Sequence, residues 1–174
     1  MDNRSVCKAT GKDITELVEL VKKTLTNNPP KGIGKKYITA YIKGNTTHNL
    51  IEKSINRIIV LKVQDRLIGF AIINICNSHF IEFILIDNDY QRHGYGTYFF
   101  EKLYDKPYEI RAIDFYSKDI ATRSFIEKQN WEPRWKFRRN GEEIDRLTYI
   151  APLDEIVLRL NFTDKEKNYI RDLW

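Results

Sequence analysis

The residues with the clearest chemical potential are Tyr90-Gln91-Arg92-His93-Gly94-Tyr95-Gly96, set between an apolar run, Phe80 to Ile86, and the stretch Thr97 to Leu103. The chain of 174 residues has only 8 glycines, yet two of them stand here beside two basic side chains. A loop that leaves a strand and opens a helix aims several backbone N–H groups in one direction. With the positive end of the helix dipole behind them, these groups can bind an anion. Glycine at 94 and 96 lets the main chain approach that anion without an intervening Cβ, and Arg92 and His93 can add charge from the side. The same residues also suit a tight strand-to-helix turn with solvated basic side chains.

Two other glycine-loop chemistries fit poorly. A dinucleotide fingerprint needs a third glycine, but the position three after Gly96 is Phe99, and no early βαβ unit surrounds the loop. A P-loop needs lysine and then Ser or Thr after its last glycine, whereas Thr97 and Tyr98 follow here. His48, His79 and His93 form no metal-ligand spacing, and Cys7 and Cys76 form no CxxC pair, so neither a metal site nor a disulfide framework is expected. The cluster Arg134-Trp-Lys-Phe-Arg-Arg139 has the composition of a phosphate- and base-binding patch. Strand alternation offers another account, placing Trp135 and Phe137 on one face and Lys136 and Arg138 on the other.

The elements that must position the loop follow from periodicity. Asp13 with Glu16 forms a capping box ahead of a helix carrying Ile14, Leu17, Val18, Val21 and Leu25, which Asn27-Asn-Pro-Pro30 stops. Two short helices are expected around Tyr37 to Ile42 and Leu50 to Ile55. Residues 57–63, 67–75 and 79–86 read as three consecutive strands, the first two joined by a turn at Gln64-Asp-Arg66. A helix follows the glycine loop to Pro107, then a strand at 109–116 and a helix capped by Asp119 and stopped at Asn130. Residues 131–150 read as a hairpin turning at Asn140-Gly141. The tail reads either as a strand over Ile156 to Phe162 or, from Thr163 with Glu166, as a terminal helix.

The expected class is thus α/β in the α+β sense: one mixed, mostly antiparallel sheet flanked by helices. One domain over 1–174 is expected, with 152–174 as an extension packed on it. A hydrophobic content of 42% and a charged content of 30% are those of an ordinary globular protein, and the net charge of +5 suggests an acidic partner. No apolar stretch reaches membrane-spanning length and no leader pattern opens the chain, so no membrane partner and a reducing, cytoplasmic setting are expected.

The stretch Phe83 to Leu103 resembles the acetyl-CoA-binding motif of the GNAT superfamily of N-acetyltransferases, in which a strand end leads through Q/R-x-x-G-x-G/A into a helix. Gln91, Gly94 and Gly96 occupy the diagnostic positions, and the element order resembles the family fold over about residues 5 to 151. The resemblance implies acetyl-CoA as cosubstrate, without a metal. Backbone amides of Arg92, His93, Gly94, Tyr95 and Gly96, with Gln91 and Thr97 alongside, would hold its pyrophosphate. Ile84, Leu85 and Ile86 would border the pantetheine arm, with the Ile84 amide polarising the thioester carbonyl.

It also implies a base on this strand, and Glu82 is the candidate: a carboxylate that shares parity with Ile84 and Ile86 and is partly desolvated by its apolar neighbours. The alternative for Glu82 is an ordinary strand glutamate facing solvent or pairing with a lysine. In the second motif, Asp119 to Trp131 resembles N-x-x-A-x-x-F-Y-E-K-x-G-F, but Asp119, Thr122 and Asn130 replace the asparagine, alanine and glycine. Ile126 replaces the tyrosine that acts as acid, leaving Tyr116 or water to protonate the thiolate. Asn88 stands where the family often has proline.

An acetyltransferase acting on a primary amine of a small molecule or protein is therefore expected, as a monomer or homodimer. The alternatives are a coenzyme-binding regulatory module with weak chemistry, or a protein directed at RNA or charged tRNA. The acceptor site would be built by about residues 27 to 56 and 131 to 150, where Tyr37, Tyr41 and Trp135 either line it or belong to the core.

Overall fold

The computed structural model describes residues 3–29, 34–74, 80–104, 112–129, 131–139 and 142–149. The expected turn at Asn140-Gly141, the helix stop at Asn130, Pro107 and the whole tail lie outside the described residues. The strands are β1 (Arg4–Lys8), β2 (Ile58–Val63), β3 (Arg66–Asn74), β4 (Phe80–Ile86), β5 (Ala112–Tyr116), β6 (Trp131–Arg139) and β7 (Glu142–Tyr149). The helices are α1 (Ile14–Asn27), α2 (Lys35–Lys43), α3 (Thr46–Ser54), α4 (Tyr95–Tyr104) and α5 (Ile120–Glu127).

All seven strands form one sheet in the order β1-β2-β3-β4-β5-β7-β6. Every neighbouring pair is antiparallel except β4 with β5, which run parallel as the β4-α4-β5 crossover requires. This is the expected mixed, mostly antiparallel sheet. The β2–β3 turn bends through Gln64 and Asp65, at φ 50° and 64°, the left-handed pair that a tight hairpin turn needs.

Apolar residues separate onto the two faces. Leu17, Leu20, Val21 and Leu25 of α1 and Ile51 of α3 pack with Ile58, Val60, Phe70, Ile72 and Leu85. On the other face Phe99, Phe100 and Leu103 of α4 and Ile126 of α5 pack with Ile59, Leu61, Ile81, Ile113 and Trp131. The partition follows the period of two along each strand, as Ile58 and Val60 against Ile59 and Leu61 show.

Two local readings need correction. β1 is a strand that the sequence does not announce. Four of its five residues are exposed and only Val6 packs inward, so it carries no apolar alternation and is held by pairing along β2 from Arg4↔Val63 to Lys8↔Ile59. The capping box is displaced by one turn. Asp13 ends a short 3-10 turn, and its carboxylate accepts from the Thr10 amide at 2.7 Å and the Thr10 hydroxyl at 2.8 Å. Glu16 instead accepts from the Leu67 amide at 3.1 Å, fastening α1 to β3.

Asp13 also meets the Lys62 ammonium at 2.7 Å. Burial pushes the Asp13 carboxyl up, but the hydrogen bonds from Lys62 and Thr10 outweigh it and hold the group below its ordinary 3.8. Lys62, bonded to Asp13, lies above its ordinary 10.5. A depressed carboxyl stabilises the fold above its unfolded-state value and loses that contribution as pH falls through the folded value. Asp13→Asn is therefore expected to cost about 1–3 kcal/mol between about pH 5 and about pH 9, and progressively less below about pH 4. Urea unfolding of both proteins across pH checks this, and a cost that persists undiminished in acid would refute it.

Candidate active site

The site begins where the sheet comes apart. Among the described residues β4 and β5 pair at Phe80↔Ala112 and Ile81↔Ile113 alone, and beyond Ile81 the two strands diverge. The Asp87 amide donates to the Ile68 carbonyl at 2.8 Å, so by alternation Leu85 also faces β3, while Ile84 and Ile86 turn their N–H and C=O groups toward the gap. The Ile86 carbonyl accepts the Gln91 side-chain amide at 2.9 Å from that side, in agreement. The opposite lip is β5, whose last residue, Tyr116, is backbone-paired with Ile144. The side chain of Tyr116, the expected substitute acid, lies outside the described residues.

The loop is stiffened from its first residue. Asp87 is 3% exposed and accepts from the Asp89 amide at 3.2 Å. Lys23 of α1 reaches both Asp87 oxygens, at 2.7 and 2.9 Å, and Asp89 at 2.6 Å. These hydrogen bonds, first to Asp87 and then to Asp89, hold the Lys23 ammonium above its ordinary value, and Lys23 in turn lowers Asp89. Gln91 ties the turn together by donating to Ile86 and to the Asn88 side chain, each at 2.9 Å. The Gln91 carbonyl takes the Nδ1–H of exposed His93 at 2.7 Å, which fixes the tautomer. A polar depression of about 410 Å³, lined by Asn27, Asn28, Asn88, Asp89, Gln91 and Arg92, borders the turn.

Arg92 and Gly94 both have positive φ, 64° and 82°. The first bond of α4 runs from the Tyr98 amide to the Gly94 carbonyl at 3.0 Å, so the amides ahead of it, of Tyr95, Gly96 and Thr97, stand at the positive end of the helix. A Cβ on Gly94 would meet no atom within 4 Å, so space lies open in front of it. At Gly96 a Cβ would touch the Phe125 ring at 3.5 Å, so this glycine sits where α4 packs on α5. Tyr95 stacks edge-on against Tyr90 at 5.8 Å, and the Arg4 guanidinium lies 4.8 Å from its ring centroid.

Glu82 departs from expectation in its direction. The β3–β4 register shifts between Ile72 and Ile73, leaving Glu82 as the extra residue of a bulge. Ile81 and Ile84, three apart, both pack on the α4–α5 face, so Glu82 does not keep parity with Ile84 and Ile86. Its carboxylate accepts from Arg57 Nη1 at 2.7 Å and from Asn74 Nδ2 at 3.0 Å, while Arg57 Nη2 donates to Ser54 Oγ at 3.3 Å. Ile126 is fully buried in the core. Asp119 and Thr122, the two departures at the start of the second motif, compensate each other: the Thr122 hydroxyl donates to the Asp119 carboxylate at 2.6 Å and its amide at 3.2 Å, capping α5. On β6, Lys136 and Arg138 are both exposed, as strand alternation requires.

Sequence reasoning missed Arg57, Asn74 and Lys23, which reach the site from 25, 8 and 64 residues away. Only Asp87, directly after the strand, had a local signal, as an acid positioned to cap the turn.

Residues 37–131 match the family model described as the Acetyltransferase (GNAT) family. No curated protein matches the chain significantly. Solved structures do: the GCN5-related N-acetyltransferase from Rhodopseudomonas palustris superposes with TM-score 0.70 at 12% identity, covering 87% of this chain and 98% of that one. The PaiA N-acetyltransferase from Thermoplasma acidophilum, crystallised with coenzyme A, gives 0.64 at 16% identity, covering 84% and 99%. The ribosomal-protein-S18-alanine N-acetyltransferase from Escherichia coli gives 0.61 at 13%, covering 86% and 96%.

Proposed function

Since the chain belongs to the GNAT family of acetyltransferases, we propose that it transfers an acetyl group from acetyl-CoA to a primary amine by direct attack in a ternary complex. The observation that carries this reading is the run of backbone donors that face the gap and the loop, from Ile84 and Ile86 on the β4 edge to the first amides of α4. The cosubstrate fits these features. Open space at Gly94 and the amides of Tyr95, Gly96 and Thr97 suit a pyrophosphate, with Arg92 and His93 exposed beside it. The β4 edge offers hydrogen bonds to the amide-bearing pantetheine arm along Ile84 to Ile86.

In the reaction the amine nitrogen bonds to the thioester carbon and releases its second proton to water, the carbon–sulfur bond breaks with its electron pair on sulfur, and coenzyme A leaves as a thiol. The Ile84 amide stabilises the oxygen on which negative charge develops. Glu82 accepts a proton from the incoming ammonium, exchanging its Arg57 partner for the substrate to do so. The thiolate takes a proton from Tyr116 or water, since Ile126 has none to give and lies in the core.

The Ile126 position and the Arg57–Glu82 pair also favour a second reading, a coenzyme-binding module with little chemistry, which measurable turnover of any amine would eliminate.

Calorimetric titration with acetyl-CoA tests the shared premise. Gly94→Glu is expected to weaken binding at least ~100-fold by placing a like charge at the anion site. Gly94→Ala meets no atom within 4 Å and carries only backbone strain at φ 82°, about 1–2 kcal/mol, so it controls for folding. A folded wild-type protein that ignores acetyl-CoA would overturn the reading.

A further inference from the structure

Building on the acetyltransferase reading, we propose that the acceptor is a free α-amino acid, its ammonium group held by Glu82 and its carboxylate by Arg57. The two side chains are in contact at 2.7 Å and remain accessible, Arg57 at 34% and Glu82 at 31% exposure. They sit at the bulge one residue past the last β4–β5 pair, where the sheet opens. Glu82 lies two residues before Ile84 on the same strand, at the bulge, so an amine on its carboxylate is near a carbonyl polarised at Ile84.

Position separates the two substrates. Arg57 is anchored to Ser54, the last residue of α3, whose buried side packs with α1 on one face of the sheet. The coenzyme loop opens into α4, which packs on the opposite face. Donor and acceptor therefore reach the gap from opposite sides of the sheet.

The pairing of charges selects the acceptor. A ligand entering between Arg57 and Glu82 binds best when it offers each charge its complement, because every charge-assisted hydrogen bond it displaces without replacing is lost. Because the members touch, the ligand's own charges must be adjacent, and an α-amino acid carries both on one carbon. A polyamine satisfies Glu82 and strands Arg57. A peptide amino terminus does the same, its nearest carboxyl being tied up in an amide. The guanidinium presents five N–H donors in a planar fork suited to a carboxylate, and the described contacts engage two of its nitrogens.

The experiment uses the full chain. Acetyl-CoA binding is measured first by calorimetry, then thiol release at saturating acetyl-CoA with each common L-α-amino acid, its primary amide and its decarboxylated amine. At least one free amino acid is expected to exceed both matching derivatives in kcat/KM by on the order of tenfold or more, the scale of a charge-assisted hydrogen bond. Arg57→Gln is expected to raise KM for that amino acid by a similar factor, with a smaller change in kcat, and to lower KM for the matching amine, which no longer displaces the guanidinium from Glu82. Arg57→Lys should restore part of the loss, and both variants should keep the wild-type affinity for acetyl-CoA. Derivatives that match or surpass the free amino acids, or a protein that binds acetyl-CoA and turns over no amino acid, would overturn the acceptor assignment. A protein that does not bind acetyl-CoA would sink the acetyltransferase reading and the acceptor with it.

Discussion

Ile84→Pro is expected to lower kcat by about 100- to 1,000-fold, the usual effect of losing one oxyanion donor, while acetyl-CoA affinity falls by roughly tenfold at most. Proline removes the amide that faces the gap and leaves the β3 ladder intact, since Ile84 turns its N–H away from β3. The Ile84 side chain packs partly into the α4–α5 core, so its loss carries a stability cost of its own. Ile84→Ala supplies the comparison: it removes most of the same packing and keeps the amide. Steady-state kinetics of the two variants, with unfolding midpoints, separate the effects. Equal kcat values for the two would remove the Ile84 amide from the mechanism.

Phe99→Ala is expected to destabilise the fold by about 3–5 kcal/mol, a large part of the roughly 5–15 kcal/mol that a domain possesses. Phe99 is fully buried in the α4–α5 core, between the helix that carries the glycine loop and the sheet beneath. The loss combines the transfer free energy of the ring with the cavity left behind. For a chain of this size the unfolding temperature should fall by about 6–20 °C, with an unchanged denaturant slope if unfolding stays two-state. A fall of only a degree or two would mean that α4 is not held as described.

These two residues mark what was legible from sequence. The strand around Ile84, the loop behind it and the helix carrying Phe99 announce themselves through apolar alternation, glycine spacing and helical period, all short-range signals. β1 was not legible because it exposes four of its five residues and depends on a partner more than 50 positions away, beginning at Arg4↔Val63. The direction of Glu82 was missed for a related reason. A strand reads as strictly alternating until a bulge breaks it, and this bulge is visible only in the register with β3. Arg57, 25 residues from Glu82, carries no mark of its role in its own neighbourhood. Asp119 and Thr122 were read as two departures from a pattern, and only their shared hydrogen bond shows that they act as one unit.

The narrow join between β4 and β5 has a mechanical side. Among the described residues, two pairs hold the β1–β4 half of the sheet to the β5–β7–β6 half along the strands. The core beneath the join includes an aromatic group: Phe100 of α4 meets Phe125 of α5 with ring centroids 5.8 Å apart and Trp131 of β6 at 4.9 Å, beside Ile81, Leu103, Ile113 and Ile126. Stiffness across the cleft thus draws on side-chain packing beneath the sheet as well as on the short ladder. Repacking that core would shift the spacing of the two strand ends, so the width of the cleft is governed from beneath the sheet, at a distance from its lips.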